Sequence, residues 1–152
     1  MKKFNNKIGF LALIIVVLQL TACKQKGSSY EKIEPSHTEL IAGSELSKLT
    51  LTERAVERLE IKTAILTEES LGEGYGEQKN RKVVPYASVI YDPHGHTWVY
   101  TNPEPLTYIR HEIKIDYIKG DKAYLLEGPP VGTTVATQGV AELYGTESHV
   151  GH

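Results

Sequence analysis

Between residues 83 and 137 the chain is a succession of short apolar-alternating runs separated by turn chemistry, and this pattern restricts the fold more than any other feature. In His111 to Ile118, Ile113, Ile115 and Tyr117 alternate with Glu112, Lys114 and Asp116, the period of a strand with one buried face. Lys119-Gly120-Asp121 reads as a tight turn, and Lys122 to Glu127 returns as the partner of a hairpin. Upstream, Val83 to Tyr91 reads as a strand, with Pro85 placing it near an edge. Asp92-Pro93-His94-Gly95-His96 is a turn by composition, Thr97 to Thr101 the next strand, and Asn102 to Pro105 a break. After Gly128-Pro129-Pro130, Thr133 to Thr137 supplies a last strand. Short strands at this spacing predict a mainly β fold, a small antiparallel β-barrel or roll. Trp98, Ile113, Ile115 and Val135 are expected on the core side of their strands.

One short helix is predicted before these strands. Thr52 is a good N-cap, Glu53 opens the first turn, and Ala55, Val56 and Leu59 recur at helical spacing. Leu51 can pack on Val56 as a hydrophobic staple. The helix should run about two turns before Ile61, Thr63 and Ile65 take up the alternation of a strand. Residues 67–82 are polar, with Gly72, Gly74 and Gly76 spaced by two. A phosphate cradle would need a helix after the glycines; here a strand follows, so the stretch reads as a flexible connection. The β-domain is thus expected over residues 49–144, with a tether and irregular segment over 23–48 and a polar tail over 145–152.

The N-terminus has the build of a secretory signal. Lys2, Lys3 and Lys7 precede an apolar run from Ile8 to Leu20, shorter than the roughly 20 residues a bilayer span requires. Leu20-Thr21-Ala22-Cys23 then has the form of a lipobox: an aliphatic residue, two small residues, and the only cysteine of the chain. Residues 1–22 are therefore expected to be removed and Cys23 to carry a diacylglycerol, which holds the domain on a membrane facing the extracytoplasmic side of the cell envelope. Lipidation consumes the one thiol, leaving neither a disulfide nor a thiolate metal site. Removal of three lysines and no acid leaves 14 basic against 19 acidic residues, a net charge of −5. That balance argues against nucleic acid and against a polybasic grip on anionic lipid.

Two stretches together resemble one family, the periplasmic adaptor subunits (membrane fusion proteins) of tripartite efflux pumps. The first runs from Leu49-Thr50-Leu51-Thr52-Glu53 through Arg58-Leu59-Glu60-Ile61-Lys62-Thr63. It is similar to the adaptor segment where a short helix leads into the body, with Glu60 in the place of a usual glycine. The second runs from Val84-Pro85-Tyr86-Ala87-Ser88-Val89 through Thr97-Trp98-Val99-Tyr100 to Gly128-Pro129-Pro130-Val131-Gly132-Thr133-Thr134-Val135 and Gly139-Val140-Ala141-Glu142-Leu143. It is similar to the adaptors' membrane-proximal domain. The resemblance covers about two-thirds of the mature chain. A full adaptor carries a lipoyl-like domain and usually a helical hairpin between these halves; only residues 67–82 stand there. The resemblance implies a chain cut down to the membrane-proximal end, docking to an inner-membrane transporter or a full-length adaptor. It implies that Gly128, Pro129, Pro130, Val131, Gly132 and Thr133 meet the partner.

The alternative is an envelope metal-binding lipoprotein. His94 and His96 lie two apart on the expected turn, where both imidazoles could face zinc, copper or nickel, with His111 or a carboxylate completing the site. His149 and His152 lie in the tail, and Met1, the single methionine, goes with the signal. Solvated turn and tail histidines are the competing account, so no metal or other cofactor is expected beyond the lipid. The nine tyrosines belong mostly to strand faces, with a minority available to a partner contact. No nucleophile elbow, zinc-protease motif or Walker loop occurs, and adjacent acids such as Glu68 and Glu69 read as solvated, so an enzyme is not expected.

Overall fold

In the computed structural model, residues 34–71 and 80–148 are described. Ser36–Leu40 (β1) and Ser47–Leu51 (β2) form a hairpin, followed by helix Glu53–Arg58 (α1). Lys62–Ile65 (β3), Thr67–Ser70 (β4) and Asn80–Pro85 (β5) come next. A 3-10 turn, Tyr86–Ser88, leads to Ile90–Tyr91 (β6) and Thr97–Glu104 (β7). Thr107–Lys119 (β8), Lys122–Glu127 (β9), Thr134–Gln138 (β10) and helix Val140–Glu147 (α2) complete the chain. All pairings are antiparallel, in the order β3-β10-β7-β8-β9-β5-β4, with β2 also on β8 and β6 on β7. The outermost strands, β3 and β4, are consecutive in the chain and meet at Leu66, so the sheet curls into a nearly closed barrel. The mainly β, barrel-like architecture expected from the strand pattern is the one observed.

Because neighbouring side chains in a strand face opposite ways, the sheet buries two main cores and a smaller cluster of Leu71, Val83 and Tyr124. The barrel interior holds Leu66, Val84, Val99, Ile113, Ala123, Leu125 and Val135, with Ile115 half-buried against them. The other face of β7, β8 and β10 is roofed by the helices: Tyr100, Tyr108 and Ala136 pack with Leu49, Leu51, Ala55, Val140 and Leu143. Val99 and Tyr100, or Val135 and Ala136, thus go to different cores. A strand buried on both faces reads as a continuous apolar run, as Val99-Tyr100 does.

This second core corrects several expectations. Trp98 pairs with Glu112 and not with Ile113, so it stands on the helix-covered face, half-exposed, while Ile113 and Val135 lie in the barrel as expected. Tyr117 does not share a face with Ile115. A register shift between them leaves Asp116 as the extra residue, and Tyr117 stacks on Tyr124 outside the barrel, ring centroids 4.5 Å apart at 11°. The β7 strand runs on through Pro103 to Glu104, with its irregularity between Thr101 and Glu104 where a break was expected. Residues 36–40 and 67–70, read as irregular or polar connection, are strands at the rim of the sheet. Little of either is buried, so neither needs apolar alternation. Residues 145–147, assigned to a tail, are the last turn of α2.

Helix α1 is capped as its sequence suggests: Thr52 Oγ1 accepts from Ala55 N at 3.2 Å. Its end is more unusual. Ile61 N donates to Val56 O and Glu60 N to Glu57 O, each at 3.1 Å, the paired bonds of a Schellman motif. The residue in the left-handed position is Glu60, at φ +50. The place where the resemblance sets a glycine is therefore one whose backbone favours glycine.

Candidate functional site

The segment from Gly128 to Thr133 joins β9 to β10 and is fixed from several sides. Lys82 Nζ donates to Gly128 O at 2.6 Å, and Pro129 is fully buried. A β-carbon on Gly128 would lie 3.1 Å from Leu125 and 3.2 Å from Ile113, so the close approach to the barrel core favours glycine there. Thr133 N closes a turn on Pro130 O at 3.2 Å, with Gly132 at φ +91, a conformation open to glycine and strained for other residues. Main-chain bonds then tie the segment to the barrel seam: Gly132 N to Leu66 O at 2.9 Å and Leu66 N to Thr133 O at 2.8 Å. The tip that projects is apolar, with Pro130 exposed and Val131 51% exposed. The adjoining Ile65, paired with Thr134, is also exposed, at 62%.

The histidine turn is organised by Asp92. Its Oδ1 accepts from His94 N at 2.8 Å and His96 N at 2.9 Å. Its Oδ2 accepts from Trp98 Nε1 and lies against His96 Nδ1, both at 3.1 Å. Partial burial works against ionisation, but the Trp98 donor, the two backbone N–H groups and His96 outweigh it and hold the carboxyl at about 2. Both imidazoles are exposed, with ring centroids 6.3 Å apart. Among the described residues, no group of three or more His, Cys, Asp and Glu side chains is placed to hold a metal ion. Asp92, which contacts His96, already has both oxygens engaged by the turn.

A groove of about 650 Å³ brings part of each candidate site together, since His96 and Gly128 both line it. Glu112, Lys114 and Glu127 add its charges, and His111 lines it as well. Burial and the Lys82 charge push the His111 imidazole down from its ordinary value, with Glu112 acting the other way. Pro130, Val131 and Gly132 do not line this groove. Cys23, His149, His152, Gly72, Gly74 and Gly76 lie outside the described residues.

A cluster that pattern reasoning passed over sits behind the turn. Arg110 lies 4.6 Å over the Trp98 ring and 5.7 Å from that of Tyr144, and its Nε is 2.9 Å from Glu147 Oε2. The same carboxylate oxygen accepts from the Tyr100 hydroxyl. Burial first, then the Glu147 carboxylate, push the Tyr100 phenol up from its ordinary value. The only sequence signal was an arginine amid strand aromatics, which does not locate a carboxylate 37 positions later. The arrangement clamps α2 to β7 and β8. Comparison with protein-family models gives no match, and comparison with curated proteins gives none either.

Proposed function

We propose that this chain is a non-enzymatic, lipid-anchored envelope protein that acts by docking, in the manner of an efflux-pump adaptor cut down to its membrane-proximal end. Its partner is an inner-membrane transporter or a full-length adaptor, and its contribution to export is mechanical. The observation that carries this reading is the Gly128–Thr133 segment, an apolar tip on a rigid mount. Ordering a loose loop on binding costs free energy that a pre-ordered one does not lose. Here the bonds to Leu66, the buried Pro129 and the Lys82 contact fix the loop beforehand, leaving Pro130 and Val131 to be covered. The order of motifs along the chain supports the same reading. Anchoring at Cys23 would keep the tip near the membrane on which such a transporter sits.

The test is capture of a co-expressed transporter or adaptor from detergent-solubilised membranes. Val131→Asp with Pro130→Gly buries an unpaired charge in the contact and loosens the mount, and should reduce capture about tenfold or more. Replacing His94 and His96 together by Asn keeps the turn propensity and should leave capture unchanged. Capture that survives the loop change and fails with the histidine change would overturn the docking reading in favour of a metal role for the turn.

A further inference from the structure

The rim strand β1 has an outer edge with a self-complementary pattern. Pro35 O accepts from Thr52 N at 3.0 Å, and Ile41 N donates to Leu46 O at 2.9 Å. Antiparallel ladders alternate, so His37 and Glu39 direct their main-chain groups to β2, and Ser36, Thr38 and Leu40 direct theirs away from it. Among the described residues, β1 pairs with β2 alone. A row of outward N–H and C=O groups is a template for another strand.

We propose that the strand which adds there is β1 of a second copy of this chain, antiparallel about a two-fold axis through Thr38. Thr38 of each copy then exchanges both main-chain bonds with Thr38 of the other, and Ser36 does so with Leu40. His37 falls opposite Glu39 of the other copy, twice, at the non-hydrogen-bonded positions where facing side chains come closest. Both side chains are exposed. Glu39 would be flanked by the other copy's His37 and by Lys48 of its own hairpin, which is 2.8 Å away. Leu40, 76% exposed, would gain cover beside Ser36 of the other copy.

Of the other rim strands, β6 has only two residues, and β4 and β3 do not match themselves in this way. The same operation on β4, Thr67–Ser70, sets Glu68 and Glu69 against the carboxylates of the other copy. The β3 strand lies beside β5 across the barrel seam. Among the described residues, charge pattern and unpaired edge coincide at β1. This pairing uses neither the Gly128–Thr133 loop nor the histidine turn, so it stands or falls apart from the docking reading.

Two full-length copies with different epitope tags, co-expressed and extracted in mild detergent, test it by capture of one tag and detection of the other. Wild-type copies should co-purify. His37→Glu in both copies turns two attractions into two repulsions and should lower capture about tenfold. Thr38→Pro removes an outward N–H while sparing the bonds to β2, and should also lower it. A His37→Glu copy should be captured again by a Glu39→Lys copy, since the new carboxylate of the first then faces the new ammonium of the second; misfolding cannot produce that rescue. Equal capture of wild type and both single variants, or no recovery in the mixed pair, would overturn the proposal, as would a different protein on the β1 edge.

Discussion

Arg110 and Glu147 form an ion pair, Nε to Oε2 2.9 Å, between β8 and the last turn of α2, with side chains only 16% and 4% exposed. The Arg110 Nε–H is not aligned on that oxygen, so this contact is held by charge and not by a directed hydrogen bond. Removing one member of a buried pair costs more than the pair contributes, because the other charge stays behind. Glu147→Ala also takes the acceptor of the Tyr100 hydroxyl, and should lower stability by about 3–5 kcal/mol. Tyr100→Phe, which removes one donor and keeps the ion pair, should cost about 1–2 kcal/mol. Urea midpoints measure both, and equal losses in the two variants would refute the ranking.

Glu60 and Gly139 both occupy left-handed backbone, at φ +50 and φ +74, but only one of them is the residue that conformation favours. Glu60→Gly should raise stability by about 0.5–1 kcal/mol, the left-handed strain relieved less the extra chain entropy of glycine. The exposed bond from Gln138 to Glu60, 3.0 Å, is a small loss against this. Gly139→Ala should go the other way by about 1–3 kcal/mol. Its new methyl would stand 2.6 Å from Ile61 Cδ1 and 3.0 Å from the Leu59 carbonyl oxygen, and a carbonyl in a helix cap cannot swing aside. Thermal unfolding of the two variants should shift in opposite directions.

The Asp92 carboxyl, held at about 2 against an ordinary value of 3.8, makes the 92–96 turn sensitive to acid. A depressed folded-state value gives stability that is complete above the unfolded value and is lost as pH falls through the folded one. The window is therefore from about 4 down to about 2. The difference in thermal midpoint between wild type and Asp92→Asn should be constant above that window and shrink within it. A difference that stays level down to pH 2 would show that the carboxylate is not engaged by Trp98 and the turn in solution.

The proposal that Cys23 is lipidated predicts that Cys23→Ser accumulates as an unprocessed, heavier precursor without lipid. Metabolic labelling with a palmitate analogue, read on a gel, should label the wild type and leave the variant unlabelled. Label of equal intensity in both would end the lipobox reading.

Local chemistry determined much of this protein in advance. The β8–β9 hairpin about Lys119-Gly120-Asp121, the Thr52 cap and the Asp92–His96 turn each depend on neighbours a few positions apart, and so were legible in sequence. The barrel class followed from strand spacing and turns. Four things needed the tertiary structure. Alternation assigns two faces to a strand but not which element covers each, so the helix-roofed core and the place of Trp98 came only from the packing of α1 and α2. A single inserted residue at Asp116 reverses every face beyond it, and nothing in the composition of 111–118 marks it. Rim strands such as Ser36–Leu40 and Thr67–Ser70 bury too little to select for apolar side chains, so their strand character lies in main-chain bonds to partners distant in sequence. The Arg110–Glu147–Tyr100 cluster has the same origin, for it joins residues that only the closing of α2 onto β7 and β8 brings within reach.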